Sequence, residues 1–368
     1  MMRNIVPHRQ HRIYLLNHRD STRNKNKLES SGRGTKGKST KEDDDERHMR
    51  LIDERLSEYG APLQVYYCDD EYEIPSFRNT TILIRSTAPD AVLSELRNGR
   101  DDSGTVELTG GVFDLFALAV ALIEAPTATT TGTTTTLADE INVGILGLGC
   151  GTCLRLIDDL YPHRKIKMFG YELDEAIVDL GYKHFGLDQL KTLEEVFIGD
   201  ALENIETRNK DVLYDLIIVD LFDDQSRIIP ELLSLENWTA ISKKLRHKGK
   251  SRVICNLSTG RGRGANISAA VQCAELIAET CSTSAGDISI WPSGRMNVWN
   301  EVCISGPLPL SFGVEETPKI LAKYCSHFIS TSKYINNDDN DKSEIEDVPL
   351  HGWLLDQLSR QEQRRQRN

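Results

Sequence analysis

From Ile141 to Thr152 the chain reads Ile-Asn-Val-Gly-Ile-Leu-Gly-Leu-Gly-Cys-Gly-Thr, an apolar run that ends in three alternating glycines and passes into a helical pattern. Few backbone paths satisfy such a stretch. The run has the length of a buried strand, and the glycines permit a left-handed backbone where side chains would be strained. A strand, a tight glycine loop and a helix, in that order, form the opening unit of a parallel sheet covered by helices. The segment 139–305 repeats the alternation. Strands are predicted over Ile141–Gly147, Ile166–Tyr171, Glu195–Ile198, Tyr214–Val219, Arg252–Leu257, Ile288–Trp291 and Asn297–Ile304, with helices near 151–160, 174–185, 201–208, 235–246 and 265–281. Only Pro292-Ser-Gly-Arg295 separates the last two strands, so the final strand is predicted to run antiparallel to its neighbour.

The flanking sequence is of a different kind. Residues 1–41 carry eleven Lys and Arg against Asp20 and Glu29, and the acidic run Glu42–Glu46 reverses the sign. Residues 1–49 are read as a disordered tail or a transit-like segment, which leaves the cytoplasm or an organelle, plastid or mitochondrion, as the address. A small β-rich region is expected over 50–125, with strands at Leu63–Cys68, Thr80–Ser86 and Thr105–Thr109. It closes with an unbroken apolar helix over Val112–Glu124, too short to cross a bilayer and expected to pack between domains. The Thr-rich stretch 126–138 reads as a linker. Residues 306–368 form a C-terminal extension, with an acidic connector over 331–348 and a terminal helix over Leu350–Arg365 that places Trp353, Leu354 and Leu358 on one face.

Charge narrows the partners. Beyond residue 41 the chain carries 33 basic against 54 acidic side chains, a net charge near −21. Such a body repels phosphates, so nucleic acid is not an expected partner, and a small cationic substrate suits it better. No apolar run is long enough to span a bilayer, and no membrane partner is expected. The eight cysteines, at 68, 150, 153, 255, 273, 281, 303 and 325, lie mostly inside apolar segments, without a second Cys-x-x-Cys to complete a zinc site. They are expected to be buried free thiols, and no metal is expected. Cys150-Gly-Thr-Cys153 falls within the glycine loop, where small residues are needed in any case, so packing outranks redox chemistry there.

Chemistry-bearing residues gather at the ends of the predicted strands. Gly147, Gly149 and Gly151 would let the backbone approach a bound nucleoside where a Cβ would collide, and the following helix brings N–H donors. A dinucleotide-binding loop has its third glycine three places after the second. Here that place is Thr152, which counts against a pyrophosphate and for adenosine with an amino-acid-like tail. Glu172 ends the second strand 25 residues after Gly147, where a ribose diol would lie, and its carboxylate can accept from both hydroxyls. An acid in such a place is more often a helix cap, a role assigned to Asp174. Asp200, just after the third strand, is within reach of an adenine amine. Asp220 ends the fourth strand, where open α/β sheets bind ligands, and Asp223 and Asp224 follow with a turn as their rival role.

With these residues assembled, the chain resembles the spermidine synthase-like branch of the class I S-adenosylmethionine-dependent methyltransferase fold. The phrases GLGCGTCLRLIDDLYP, YELDEAIVDLGYKHFGL, FIGDALENI and YDLIIVDLFDD are similar to successive signatures of that branch, over roughly 105–305. The β-rich region before the loop is similar in position to its N-terminal β-domain. The resemblance implies an α/β, Rossmann-like fold, mostly parallel with the last strand antiparallel, behind a small β-rich N-terminal domain. It implies that Gly147, Gly149 and Gly151 line the nucleotide, Glu172 the ribose, Asp200 the adenine, and Asp220 and Asp223 the transfer site. The co-substrate would be decarboxylated S-adenosylmethionine or S-adenosylmethionine, and a homodimer is implied because members of the branch are often dimers. Where spermidine synthases show Asp-Ser-Ser-Asp-Pro, this chain has Asp220-Leu-Phe-Asp223-Asp224. Where they show Asp-Glu-Phe and a Tyr-His-Glu cluster, it has Asp114-Leu-Phe followed by apolar residues.

Two reactions share one physical core, in-line displacement at a carbon that a sulfonium makes electrophilic. Aminopropyl transfer to a small cationic acceptor such as a diamine is preferred, on the Asp-x-x-Asp spacing, the β-domain and the acidic body. Asp223 would anchor or deprotonate the amine, and Asp220 would steady the nucleotide and its positive sulfur. Methyl transfer is the alternative, favoured by the missing Tyr-His-Glu cluster, with Arg155 a candidate partner for the methionine carboxylate. The third is a non-catalytic nucleotide-binding scaffold, against which Glu172, Asp200 and Asp220 stand together.

Overall fold

A computed structural model describes residues 49–59, 62–68, 80–85, 92–97, 109, 111–123, 140–223, 227–247, 250–257, 265–282, 288–295 and 298–306. The basic tail, the strand expected over Thr105–Thr109 except Thr109 itself, the Thr-rich linker, the acidic connector and the terminal helix lie outside the described residues.

Four strands, β1 (Met49–Leu56), β2 (Pro62–Cys68), β3 (Thr80–Arg85) and β4 (Val92–Arg97), form an antiparallel meander in the order β1-β2-β3-β4. Sequence patterning predicts β2 and β3 but not β1 or β4, which interleave charged residues with apolar ones. Leu63 and Val65 of β2 are buried against Cys150, Leu180 and Phe185, so this sheet shares a core with the segment that follows.

That segment contains β5 (Ile141–Leu146), β6 (Ile166–Glu172), β7 (Leu193–Ile198), β8 (Leu216–Val219), β9 (Arg252–Asn256), β10 (Ile288–Arg295) and β11 (Val298–Ser305), in the spatial order β10-β11-β9-β8-β5-β6-β7. All pairings from β9 to β7 are parallel. β11 lies between β9 and β10 and runs antiparallel to both. β10 continues through the segment expected to turn, with Pro292 opposite Glu301 and Arg295 opposite Val298. Pro292 is tolerated because β10 is an edge strand, where a missing N–H costs least.

Among the described residues six helices cover this sheet: α1 (Val112–Ala119), α2 (Thr152–Leu160), α3 (Glu175–His184), α4 (Ala201–Thr207), α5 (Leu235–Lys243) and α6 (Ala265–Cys281). Successive strand residues serve opposite faces. Val143, Ile145, Leu216 and Ile218 pack under α1 and α2, whereas Leu146, Ile217, Val219 and Val253 pack under α4, α5 and α6. Strands buried on both faces read as continuous apolar runs, which is why they are legible in the sequence. The expected helix over Val112–Glu124 is α1 followed by a 3₁₀ turn over Val120–Leu122. It packs on α2 and the sheet rather than between domains, tied by Tyr161 Oη to Ala117 O at 3.0 Å and Arg164 Nη1 to Val120 O at 2.9 Å.

A mostly parallel sheet with one antiparallel strand inserted beside an edge, helices on both faces and a small antiparallel sheet in front is the Rossmann-like class I methyltransferase fold. Its strand order reverses at β5, which has β6 on one side and β8 on the other. In open α/β sheets such a switch point is the place where ligands bind.

The small sheet is also pinned by charge. Arg55 Nη1 meets Asp179 Oδ2 at 2.9 Å, and Asp53 Oδ2 meets Lys183 Nζ at 2.8 Å and His184 Nε2 at 2.7 Å, both on α3. Hydrogen bonds from Lys183 and His184 bring the Asp53 carboxyl down to about 2. A native carboxyl more acidic than its unfolded counterpart stabilises fully above about pH 4, and that contribution is lost as pH falls through the native value. Asp53→Asn is expected to cost about 1–2 kcal/mol at pH 7, with the urea midpoints of wild type and variant converging near the acid end of that window. A deficit that stays constant with pH would assign the loss to packing instead.

Candidate active site

The glycine loop leaves β5 at the switch point with Gly147, Gly149 and Gly151 at φ values of 86°, 58° and 89°. Positive φ of this kind is the conformation glycine adopts without strain. A Cβ on Gly147 would stand 2.2 Å from the carbonyl oxygen of Asp220, and one on Gly151 would stand 2.2 Å from Leu187 Cδ2. At these two positions the close approach is made by the protein's own atoms. Gly147 lets the end of β8 close onto the loop, and Gly151 admits Leu187 beneath the start of α2.

Every amide of the loop is committed. Gly147 N and Leu148 N donate to Tyr171 O at 2.9 and 3.0 Å, and Gly151 N donates to Leu148 O at 3.2 Å. Gly149 N donates to Glu172 Oε2 and Cys150 N to Ser94 Oγ, each at 2.8 Å. Unlike the loop of a phosphate-binding fold, this one keeps none of these five N–H groups for an anion.

Glu172 ends β6 and is buried. Its second oxygen, Oε1, accepts from Asp174 N at 3.2 Å. Burial raises its carboxyl above the ordinary glutamate value, against the pull of these backbone donors. Asp220 follows β8, its N–H given to Leu146 O at 2.8 Å and its Oδ1 accepting from Asn256 Nδ2 at 2.9 Å. The residue is partly covered, but its carboxyl lies deep enough that burial pushes it up to about 6 despite the Asn256 hydrogen bond. Gly147, Gly149, Glu172 and Asp220 are thus gathered around one loop at the carboxyl ends of β5, β6 and β8.

The other sequence-predicted residues are placed differently. Asp174 caps α3 as expected, accepting from Ala176 N at 2.9 Å. Asp200 caps α4, its Oδ1 accepting from Leu202 N and Glu203 N at 2.8 and 3.3 Å. Asp223 turns to Arg227: Oδ1 accepts from Arg227 N at 2.9 Å, and Oδ2 lies 2.8 Å from Nε and 2.7 Å from Nη2. This forked ion pair occupies the carboxylate expected to anchor an amine; Asp224 lies outside the described residues. Arg155 Nη2 donates to the carbonyls of Phe185 and Gly186 at 2.5 and 3.2 Å, behind α3, and is a structural tie rather than a carboxylate partner. Asp114 accepts from Thr109 N and Oγ1 at 2.8 and 2.7 Å at the start of α1.

Three contributors escape sequence reading. Asn256 is a polar residue in the apolar run Arg252-Val-Ile-Cys-Asn-Leu257, a signal that could have been read. Ser94 comes from the small sheet, 56 residues from its partner, and nothing local marks it. Tyr59 lies after β1 with its side chain exposed; desolvation of the phenol first, and then the nearby carboxylates of Glu58, Asp174, Glu172 and Asp200, raise it above the ordinary value. The cysteines at 150, 153, 255, 273, 281 and 303 are buried and free, and burial raises both Cys150 and Cys153, which leaves them poor nucleophiles. Among the described residues no group of His, Cys, Asp and Glu is placed to hold a metal ion, and no helix is long and apolar enough to cross a membrane.

No protein-family model and no curated protein sequence matches the chain. Solved structures do resemble it in fold. A spermidine synthase in complex with the transition state analogue AdoDATO is 14% identical, with 75% of this chain and 79% of that chain covered and a TM-score of 0.47. Human methyltransferase-like protein 13 in complex with SAH is 17% identical, covering 64% and 97% at a TM-score of 0.42. Fibrillarin from Aeropyrum pernix with natively bound S-adenosyl-L-methionine is 11% identical, covering 69% and 98% at 0.38.

Two substitutions test this geometry. Gly147→Ala combines a left-handed backbone with a clash against Asp220 O, and is expected to lower stability by about 3 kcal/mol or more in denaturant titrations. Because the native Asp220 carboxyl resists ionisation, stability is lost as pH rises from about 4 through the native value near 6. Asp220→Asn keeps an acceptor for Asn256 and removes the charge. It should be more stable than wild type by about 1–2 kcal/mol at pH 7.5, with the gain vanishing near pH 4 in thermal unfolding.

Proposed function

We propose that this chain is a transferase that takes an S-adenosyl-sulfonium nucleotide as co-substrate and moves its aminopropyl group to a small amine. The carrying observation is the loop itself, with five consecutive amides committed to protein acceptors and two carboxylates, Glu172 and Asp220, at its rim. A loop without spare N–H donors and edged by acids suits a nucleoside diol and a positive sulfur better than a pyrophosphate. The residues present fit such a nucleotide. Each Glu172 oxygen has a lone pair beyond its backbone donor and would accept from a ribose hydroxyl. Asp200, although a helix cap through Oδ1, would approach adenine with its other oxygen. When bound, the sulfonium supplies an electrophilic carbon.

With Asp223 held by Arg227, the role of base passes to Asp220. A carboxyl titrating at about 6 is ionised at neutral pH and still basic enough to receive the proton of an attacking amine. Asn256 would fix its orientation by holding Oδ1. Much of the acceleration would come from holding amine and carbon at attack distance, roughly 3–3.5 Å. Methyl transfer is the second reading, favoured by the Asp223–Arg227 pair, which withdraws the second carboxylate that a diammonium acceptor would use.

Calorimetry with S-adenosylmethionine, its decarboxylated form and methylthioadenosine tests the nucleotide, and binding of none of the three would sink both readings. Product analysis with putrescine and with methyl acceptors then separates them. Glu172→Ala is expected to weaken nucleotide binding by about 1–3 kcal/mol, and Asp223→Asn to leave it near normal. The rate should rise along an acid limb near pH 6 that Asp220→Asn abolishes.

A further inference from the structure

Of the five loop amides, that of Cys150 alone is satisfied from the small sheet. Its acceptor is Ser94 Oγ on β4, at 2.8 Å, and Ser94 is 1% exposed and Cys150 wholly buried. The same hydroxyl faces the Cys150 thiol. We propose that Ser94 is a positioning residue of the nucleotide cradle, holding the Gly149–Cys150 peptide so that the preceding amide stays on Glu172. The inference rests on the nucleotide-binding function proposed above.

The geometry leaves the peptide little choice. Gly149, at φ 58°, donates to Glu172 Oε2, and the next amide along donates the other way, to Ser94. Water is excluded at Cys150, so its N–H has no substitute acceptor if the Ser94 oxygen is removed. The peptide plane is then free to turn, and the Gly149 amide and the Glu172 carboxylate that it steadies turn with it. Ser94 is delivered by a firmly docked sheet, since Asp53 and Arg55 of β1 are ion-paired to α3, and Leu63 and Val65 of β2 pack directly on Cys150, Leu180 and Phe185. Two sheets therefore meet at one amide, and the orientation of a ribose-binding acid depends on a hydroxyl from outside the nucleotide domain.

Ser94→Thr and Ser94→Val add similar bulk but differ in the acceptor. In the full-length chain, Ser94→Thr should bind methylthioadenosine and S-adenosylmethionine like wild type, whereas Ser94→Val should bind them about tenfold or more weakly. Amide hydrogen exchange at Cys150 should be about tenfold faster in Ser94→Val alone, measured where both variants are fully folded. Equal nucleotide affinity and equal Cys150 exchange in the two variants would overturn the proposal. If the added methyl prevents both from folding, Ser94→Ala against wild type gives the same reading, with unchanged exchange overturning it. Should wild type bind neither nucleotide, the proposed function falls, and Cys150 exchange alone decides whether Ser94 holds the loop.

Discussion

The carbonyl oxygen of Asp220 occupies the place where any side chain on residue 147 would begin. From this contact much else follows. β5 and β8 are neighbours at the point where the strand order reverses, and their carboxyl ends can close together only because Gly147 lacks a Cβ and takes a left-handed turn. That closure sets the Asp220 carboxyl beside the loop, within reach of Asn256 at the end of β9. On the opposite side the loop takes its hydrogen bonds from β6, through Tyr171 O and Glu172. Three strand ends are thereby fixed relative to one another by contacts of a few atoms.

The electrostatics of this corner run against stability. Burial disfavours the ionised forms of both Glu172 and Asp220, and neither acid forms an ion pair with a described residue. Asp53 and Asp223, by contrast, sit beside cations. Asp53, Asp179 and Asp223 are paired with bases, and Asp174 and Asp200 cap helices, whereas Glu172 and Asp220 hold only neutral donors at the loop. Local strain of this kind is a common property of sites that meet a charged ligand.

Much of the architecture was legible because both faces of the central sheet are buried. The runs Ile141–Leu146, Ile166–Glu172 and Leu216–Val219 are nearly continuous in apolar character, and their order with the intervening helices fixes the fold class. β1 and β4 were not legible, since short antiparallel strands that interleave charged with apolar residues lack that signal. Of the site, the glycines and Glu172 stand on contiguous sequence and are read directly. The purpose of Gly147 and Gly151 is not, because the atoms that crowd them, Asp220 O and Leu187 Cδ2, are distant in sequence. The same holds for Asp223, whose spacing from Asp220 suggests a second ligand-facing acid until Arg227, four residues on, is seen to take both its oxygens.

Among the described residues the seven-stranded sheet ends in β10 on one side and β7 on the other. An uncovered edge strand's backbone donors and acceptors could recruit a strand from another chain. At one end β10 carries Pro292, which has no amide to give. At the other, β7 presents the adjacent acids Glu194 and Glu195, both exposed, whose charge would have to be brought against any incoming strand. Both features weigh against an incoming strand at the edges of the described sheet.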